Sequence, residues 1–329
     1  MPHSAIPPYL HTLSIPTPFP VGPVNVTLAE GDPLTLIDVG PRYGPARESL
    51  AEGLAGRGYR VADLRRLVIT HAHADHCGLA AELARVSGAA VLTHATNVPW
   101  LADEGDTGRL AFYGQVMVWA GVPAEVLMGF ASMQRGTSGY TEPVTADGTL
   151  ADGDALQLGG EDWRVLHTPG HSGGLICLYQ PQRRLLISSD HLIGDVSSNP
   201  VLEPPAPGET GRPRRLVEYM RQLRRVAGLD VDLALPGHGP PIDDHRALIG
   251  ERLAFHEARA RRILEVMGDA ALTAYEIAAV LFPGRDAVNT FLAISEVIGH
   301  LQWLEIEGRV THAERDGVAR WEVDAEEMV

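Results

Sequence analysis

The densest chemistry in this 329-residue chain lies in Thr70-His71-Ala72-His73-Ala74-Asp75-His76, where three imidazoles and a carboxylate fall within six consecutive positions. Imidazole and carboxylate are the side chains that bind zinc and related divalent ions. The apolar run Leu67-Val68-Ile69 leads into the stretch and reads as a buried strand. Gly78 and then Leu79 to Ala84 follow and read as a helix. The ligand-type residues therefore lie on the loop at the C-terminal end of a strand, where α/β sheets place their chemistry. In extended backbone His71 and His73 point to the same side. Asp75 and His76 fall past the bend and can face a second point. One loop can thus serve two metal ions about 3.5–4 Å apart, the spacing that two-metal hydrolases use.

The stretch resembles the H-x-H-x-D-H signature of the metallo-β-lactamase superfamily, in its glyoxalase II- and lactonase-like hydrolases. Three downstream segments match the rest of that pattern, in the family's order and each after an apolar run. They are Thr168-Pro169-Gly170-His171-Ser172-Gly173-Gly174, Ser188-Ser189-Asp190-His191 and Leu235-Pro236-Gly237-His238-Gly239-Pro240. The resemblance covers roughly the first 250 residues. It implies that His71, His73 and His171 hold one metal, that Asp75, His76 and His238 hold the other, and that Asp190 bridges them. Neutral imidazoles with carboxylates suit two Zn²⁺ ions, with Fe or Mn as alternatives. The resemblance further implies a metal-bridging hydroxide as the nucleophile, with Asp75 placed to orient it. His191 is a candidate for substrate binding or proton shuttling, and equally a structural histidine. Tyr113, Tyr43 and Tyr140 are candidate donors to an oxyanion. One subclass of true β-lactamases has cysteine where this chain has Asp190, and lacks the extra His76. The pattern here points instead to hydrolases of thioesters, lactones, phosphoesters and RNA.

Composition narrows the field. The net charge is −15, and all 27 basic residues are arginine. A chain without lysine can use neither Schiff-base chemistry nor a P-loop lysine. The acidic balance disfavours a broad phosphate-binding surface. No apolar run approaches the ~20 residues of a membrane span. The N-terminal Met1 to Ala5 lacks a basic region followed by an apolar one, so no signal peptide is expected. Two cysteines, Cys77 and Cys177, argue against a disulfide framework and fit a reducing cytoplasm. Cys77 directly follows the ligand loop, as a small buried residue or a stray metal contact.

The elements around the motifs alternate between strand and helix, which by itself indicates only an α/β fold. Short strands are expected at Leu13 to Pro16, Val24 to Leu28 and Leu34 to Asp38. Asp38 then serves either as a partner to a ligand histidine or as a turn cap. The resemblance implies a four-layer αββα sandwich over residues 1–243. Residues 97–140 depart from the family's minimal plan and read as an inserted helical pair. Trp100, Phe112, Tyr113, Met117, Trp119, Met128, Phe130 and Met133 suit a lid over an apolar substrate, or packing against the core or a second subunit. Residues 244–329 read as a long helix, two further helices and a hairpin, a small winged-helix-like α+β domain. Its second helix, Ala287 to Leu304, contains no arginine, unlike a DNA-reading helix, which favours a packing or homodimer module.

The expectation is a dinuclear metal-dependent hydrolase of a small ester, thioester or lactone with an apolar acyl or aryl group. The alternative is a metal-dependent endoribonuclease or phosphodiesterase. The implied partner is a small-molecule substrate, with nucleic acid disfavoured and no membrane.

Overall fold

The computed structural model describes residues 6–102, 107–127, 138–195, 198, 200, 202–206, 209–284 and 287–324. Two sheets face each other. The first has the order β1 (Leu10–Ile15), β2 (Val24–Ala29), β3 (Thr35–Ile37), β4 (Arg66–Ile69), β5 (Ala90–Thr93), β6 (Gly148–Thr149). Its strands pair antiparallel from β1 to β3 and parallel from β3 to β6. The second runs β11 (Leu233–Pro236), β10 (Leu185–Ser189), β9 (Ile176–Gln180), β8 (Glu161–His167), β7 (Ala155–Leu158), with only β10 and β11 parallel.

The period-two alternation of the strands decides what each face touches. Ile37 and Val68 point inward and meet Trp163, Val165, Leu178 and Leu235 of the second sheet. Their neighbours Leu36, Leu67 and Ile69 point outward onto α1 (Gly44–Ala55) and α3 (Ala80–Ser87), through Leu50, Leu54 and Leu83. On the far side, Leu166, Cys177, Tyr179 and Leu186 pack under α6 (Arg215–Ala227) and the start of α7 (His245–Met267). The result is the αββα sandwich. Cys77 is a small buried residue of the first outer layer, and neither cysteine forms a disulfide.

The described helix of the insert packs on the C-terminal module. This helix, α5 (Thr107–Trp119), buries Val116, Met117 and Trp119 in one core with Ala260, Ile263 and Met267 of α7. That core continues through α8 (Ala274–Leu281), α9 (Ala287–Ile306) and the hairpin β12 (Val310–Arg315)–β13 (Val318–Val323). Phe112 and Tyr113 belong to it as well, while Trp100 packs on the first sheet's outer layer. The large apolar groups on α5 are thus accounted for by the C-terminal module. Met128, Phe130 and Met133 lie outside the described residues. The helix–helix–hairpin order expected of the C-terminal segment is present. The boundary expected at 243/244 falls at the start of α7, and that helix belongs to both cores, with Ile249 in one and Ile263 in the other.

Candidate metal centre

The ligand-type residues converge at one edge of the sandwich. Strand β4 ends at Ile69, and the chain passes through His71 and His73 into α2 (Ala74–Cys77), a single turn that carries Asp75 and His76. His73 Nδ1 lies 3.0 Å from His71 Nε2 and 2.9 Å from His171 Nε2. On the other side, Asp75 Oδ2 lies 3.3 Å from His238 Nε2 and 3.9 Å from His76 Nε2. Asp190 Oδ2 stands between the two groups, 3.5 Å from His171 Nε2, 3.4 Å from His76 Nε2 and 3.7 Å from His238 Nε2. The groups His71–His73–His171, His71–His76–Asp190 and Asp75–His76–His238 each place their ligand atoms within 4.8 Å of one another.

These atoms fit metal ions. A tetrahedral ion bound at 2.0–2.1 Å sets its ligand nitrogens about 3.3 Å apart, close to the imidazole separations here. His76 Nε2, Asp190 Oδ1 and His238 Nε2 are buried and have no hydrogen-bond partner. Buried polar atoms are almost always paired, and a bound cation would satisfy the two imidazole nitrogens among these.

The outward nitrogens explain why the inward ones are free. His76 Nδ1 donates to Asp38 Oδ2 at 2.8 Å, and His238 Nδ1 donates to the Pro23 carbonyl at 2.8 Å. Thr70 Oγ1 donates to Asp38 Oδ2 at 2.8 Å, leaving its lone pairs for His71 Nδ1 at 3.1 Å and Ser189 Oγ at 2.8 Å. His71, His76 and His238 therefore carry their proton on Nδ1 and present Nε2 to the site, whereas His73 presents Nδ1. Such outer partners orient metal ligands and raise their basicity. Asp38 is thus a partner of a ligand histidine and not a turn cap.

The backbone is strained where it aims these groups. Asp38 has φ 57° and Ser189 φ 45°, both in the left-handed region. Conformations of this kind cluster at functional sites. The β10–β11 register shifts between Ile187 and Ser189, which re-aims Asp190 out of the ladder. Gly237 meets the ligands at close range: a Cβ there would lie 2.9 Å from His76 Cε1 and would also strike Asp190 Oδ1.

Electrostatics follow from this crowding. Burial opposes a charge on His76, but Asp190, Asp38 and Asp75 outweigh it and hold its pKa well above the ordinary value. His238 is likewise raised against burial, by Asp75 and Asp190. Asp190 is lowered, the imidazoles of His76, His171 and His238 overcoming burial. Burial and the surrounding imidazoles push His71 well below the usual range. Asp38, Asp75 and Asp190 thus favour positive charge at this point, on His76 and His238 here and on metal ions when these are bound.

The other candidates do not join the cluster. His191 is fully buried, with its ring edge-on to Tyr219 at a centroid distance of 5.5 Å. Burial pushes its pKa down to about 3. It is a neutral packing histidine under α6, and the substrate-binding or proton-shuttle role expected of it does not fit a side chain closed to solvent. Tyr113 lies in the C-terminal core with its ring 4.8 Å from Phe291, not among the ligands. Tyr43 and Tyr140 do lie near the ligand loop. The Tyr140 carbonyl accepts from Arg42 N at 2.8 Å, and its ring meets Phe19 at 5.3 Å and Tyr43 at 6.3 Å. Glu203 is a residue that sequence reasoning misses. It is 5% exposed, accepts from Gly173 N at 2.6 Å, and brings Oε1 within 4.0 Å of His73 Nε2. Its place in a Pro/Gly-rich loop carries no periodicity that would mark it.

Residues 19–238 match the metallo-β-lactamase superfamily, and residues 260–324 match the metallo-β-lactamase-like C-terminal domain. The chain belongs to the metallo-β-lactamase superfamily. It is 34% identical over 302 residues to the probable metallo-hydrolase YqjP of Bacillus subtilis, covering 91% of this chain and 93% of that one. A crystal structure of the metallo-β-lactamase family protein TTHA1429 from Thermus thermophilus superposes with a TM-score of 0.77 at 29% identity. That match covers 97% of this chain and 100% of the other. The acyl-coenzyme A thioesterase MBLAC2 of Bos taurus is 31% identical over 130 residues, 37% of this chain and 39% of that protein. The family implies divalent metal ions and an enzyme, a metal-dependent hydrolase. Among the described residues no helix is long and apolar enough to cross a membrane.

Proposed function

We propose that the chain is a dinuclear hydrolase of small esters, thioesters or lactones with an apolar acyl or aryl part, thioesters foremost, and that zinc is its metal. The observation that carries this reading is Asp190 Oδ2, 3.5 Å from His171 Nε2 in one group and 3.4 Å from His76 Nε2 in the other. When bound, two ions so bridged would supply a water of lowered pKa and polarise the scissile carbonyl. The chain's own part is to hold and orient. Asp38, Thr70 and Pro23 hold Nδ1 of His76, His71 and His238, so that Nε2 of each faces the site. Asp75 has one carboxylate oxygen toward His238, and in this reading it would orient the attacking water and accept its proton. His73, Asp75 and His171 are the partly exposed members, with 23%, 14% and 12% of their side chains open, so substrate would approach there.

The apolar-substrate element no longer rests on α5. It rests on Phe19, Tyr43 and Tyr140, half-buried rings that meet one another, with Gly40 O, three residues before Tyr43, accepting from Leu79 N beyond the ligand loop. The thioester emphasis comes from the relative named an acyl-coenzyme A thioesterase. The test is metal analysis of the purified protein with a rate panel of acyl thioesters, aryl esters, lactones, a phosphodiester and single-stranded RNA. About two zinc ions per chain and fastest turnover of a thioester or ester are expected. Faster cleavage of RNA or the phosphodiester than of any acyl substrate would overturn the reading.

A further inference from the structure

One serine of the C-terminal module reaches toward the metal centre. Ser295 lies in the middle of α9, beside Ala293, Ile294, Val297 and Ile298, which are all buried in the C-terminal core. It is itself only 1% exposed. A serine inside a helix commonly points to solvent or bonds a carbonyl of the preceding turn. Ser295 instead spends its hydroxyl on another part of the chain. Its Oγ donates to the Pro200 carbonyl at 3.2 Å and accepts from Leu202 N at 2.8 Å. Pro200 and Leu202 lie outside any strand or helix, so their buried backbone groups need a partner from elsewhere. The Leu202 side chain enters the same core as α9.

The residue that Leu202 carries next is Glu203. It precedes Pro204, which confines its backbone to extended conformations. With Leu202 fixed on α9 and the following backbone restricted, the direction in which the Glu203 side chain leaves the chain is fixed as well. That buried carboxylate accepts from Gly173 N at 2.6 Å, just beyond His171, and brings Oε1 to 4.0 Å from His73 Nε2. Toward the other side, Ser198 is buried and its Oγ donates to the carbonyl of Asp190. Along the chain, the bonds to Ser295 thus fall between a residue tied to Asp190 and a residue tied to the His171 loop.

Helix α9 is firmly seated against the sandwich. Gly299, one turn on from Ser295, comes so close to α6 that a Cβ there would lie 3.0 Å from Leu216 Cβ. Helix α6 in turn lies against the His171 loop, where a Cβ on Gly170 would strike Tyr219. Close backbone packing therefore sets where Ser295 stands relative to the ligands. We propose that Ser295 is a positioning residue of the metal centre, acting through Leu202 and Glu203 on the His171 loop, and that the C-terminal module contributes to the site in this way. The proposal rests on metal ions occupying the centre and on no choice of substrate.

The test is a double-mutant cycle on the full-length, metal-loaded protein, read as the rate at which zinc is lost to a chelator. Glu203→Ala should speed that loss about tenfold, the low end for a partner of metal ligands. Ser295→Ala removes a single hydroxyl and should speed it about fivefold. If the two act along one path, the S295A/E203A variant should lose metal about tenfold faster, like Glu203→Ala alone, whereas independent effects would multiply to about fiftyfold. Cobalt(II) in place of zinc gives a second readout, because its visible absorption follows ligand geometry. Ser295→Ala should shift that spectrum in the same direction as Glu203→Ala. Ile277→Val, in the same core but on α8, is the control for plain loss of stability. It should lower the melting temperature and leave metal loss and spectrum as in the wild type. Multiplying effects in the double variant, wild-type metal retention and spectrum in Ser295→Ala, or an equal spectral change in Ile277→Val would overturn the proposal. Neither readout uses a substrate, so failure of the hydrolase reading leaves the result standing.

Discussion

Two groups of buried histidines in this molecule differ in the charges that surround them. Between the sheets, His76 is surrounded by Asp38, Asp75 and Asp190, and its pKa is raised against the pull of burial. In the C-terminal core, His256 Nδ1 and His300 Nε2 lie 3.3 Å apart with Arg252 and Arg259 beside them. Burial and those neighbours push His256 down to about 3, and burial with Arg259 outweighs the Glu296 carbonyl to push His300 down to about 4. The same side chain is a cation-seeking ligand in one place and a neutral packing group in the other. Neighbouring charge decides which, not burial.

The largest expected effect breaks the first group. Asp190→Ala removes the one carboxylate common to both halves and leaves two sets of imidazoles with no bridging charge. Metal content should fall below two per chain, and kcat/KM should drop by about 10³-fold, the equivalent of several kcal/mol of lost transition-state stabilisation. Metal analysis beside the acyl-substrate assay checks both. If Asp190→Ala keeps two ions and full rate, carboxylate neighbours are not what separates the two groups.

The first group is readable from residue types because its ligands occur in four short segments, each after an apolar strand. Period-two alternation places the strands, and the strands place the loops. Gly237 and Gly170 sit where ligand or helix backbone comes too close for a Cβ, so local sequence and tertiary contact agree there. The second group cannot be read that way. His256 and His300 are 44 positions apart on different helices, and only packing brings them together. The same limit explains α5. Its apolar faces are visible, but a helix pattern does not say whether it covers a substrate or another part of the chain. Tyr113, Met117 and Trp119 pack on the module that follows roughly 150 residues later. His191 misleads for a related reason, since adjacency to Asp190 in sequence puts it on the opposite side of the strand end.

A middle-sized effect sharpens the contrast through pH. In the unfolded chain an imidazole takes its proton near pH 6.5, whereas His256 does so in the fold only at about 3 and His300 at about 4. The unfolded state therefore binds more protons between those values. Stability falls as pH drops below about 6.5 and levels off below the folded pKa values. Between pH 7 and pH 4.5 the loss should be about 3 kcal/mol for one imidazole of the pair. Urea unfolding of wild type and of His256→Gln at both pH values isolates it, because the metal cluster contributes to both proteins alike. Equal pH dependence in the two proteins would show that the pair is not held neutral by its surroundings.

The smallest effect concerns Glu203, which lies between the two kinds of role. Its Oε2 accepts from Gly173 N at 2.6 Å and so pins the loop that delivers His171. Its Oε1 is 4.0 Å from His73 Nε2, too far for a hydrogen bond. Arg215, buried beside it at 3.6 Å, has Glu209 and Glu218 as further partners and would not be left as a lone buried charge. Two roles are open to the carboxylate, holding Gly173 or biasing His73 by charge, and two variants separate them. Glu203→Gln keeps an acceptor for Gly173 and removes the charge, whereas Glu203→Ala removes both. Because the charge acts at 4.0 Å without a hydrogen bond, Glu203→Gln should cost less than about threefold in kcat/KM. Glu203→Ala should cost about tenfold, the low end for a partner of metal ligands, together with weaker retention of metal against a chelator. Equal losses in the two variants would show that Glu203 acts on His73 through its charge. The carboxylate rule drawn from His76 would then extend to the outer edge of the site.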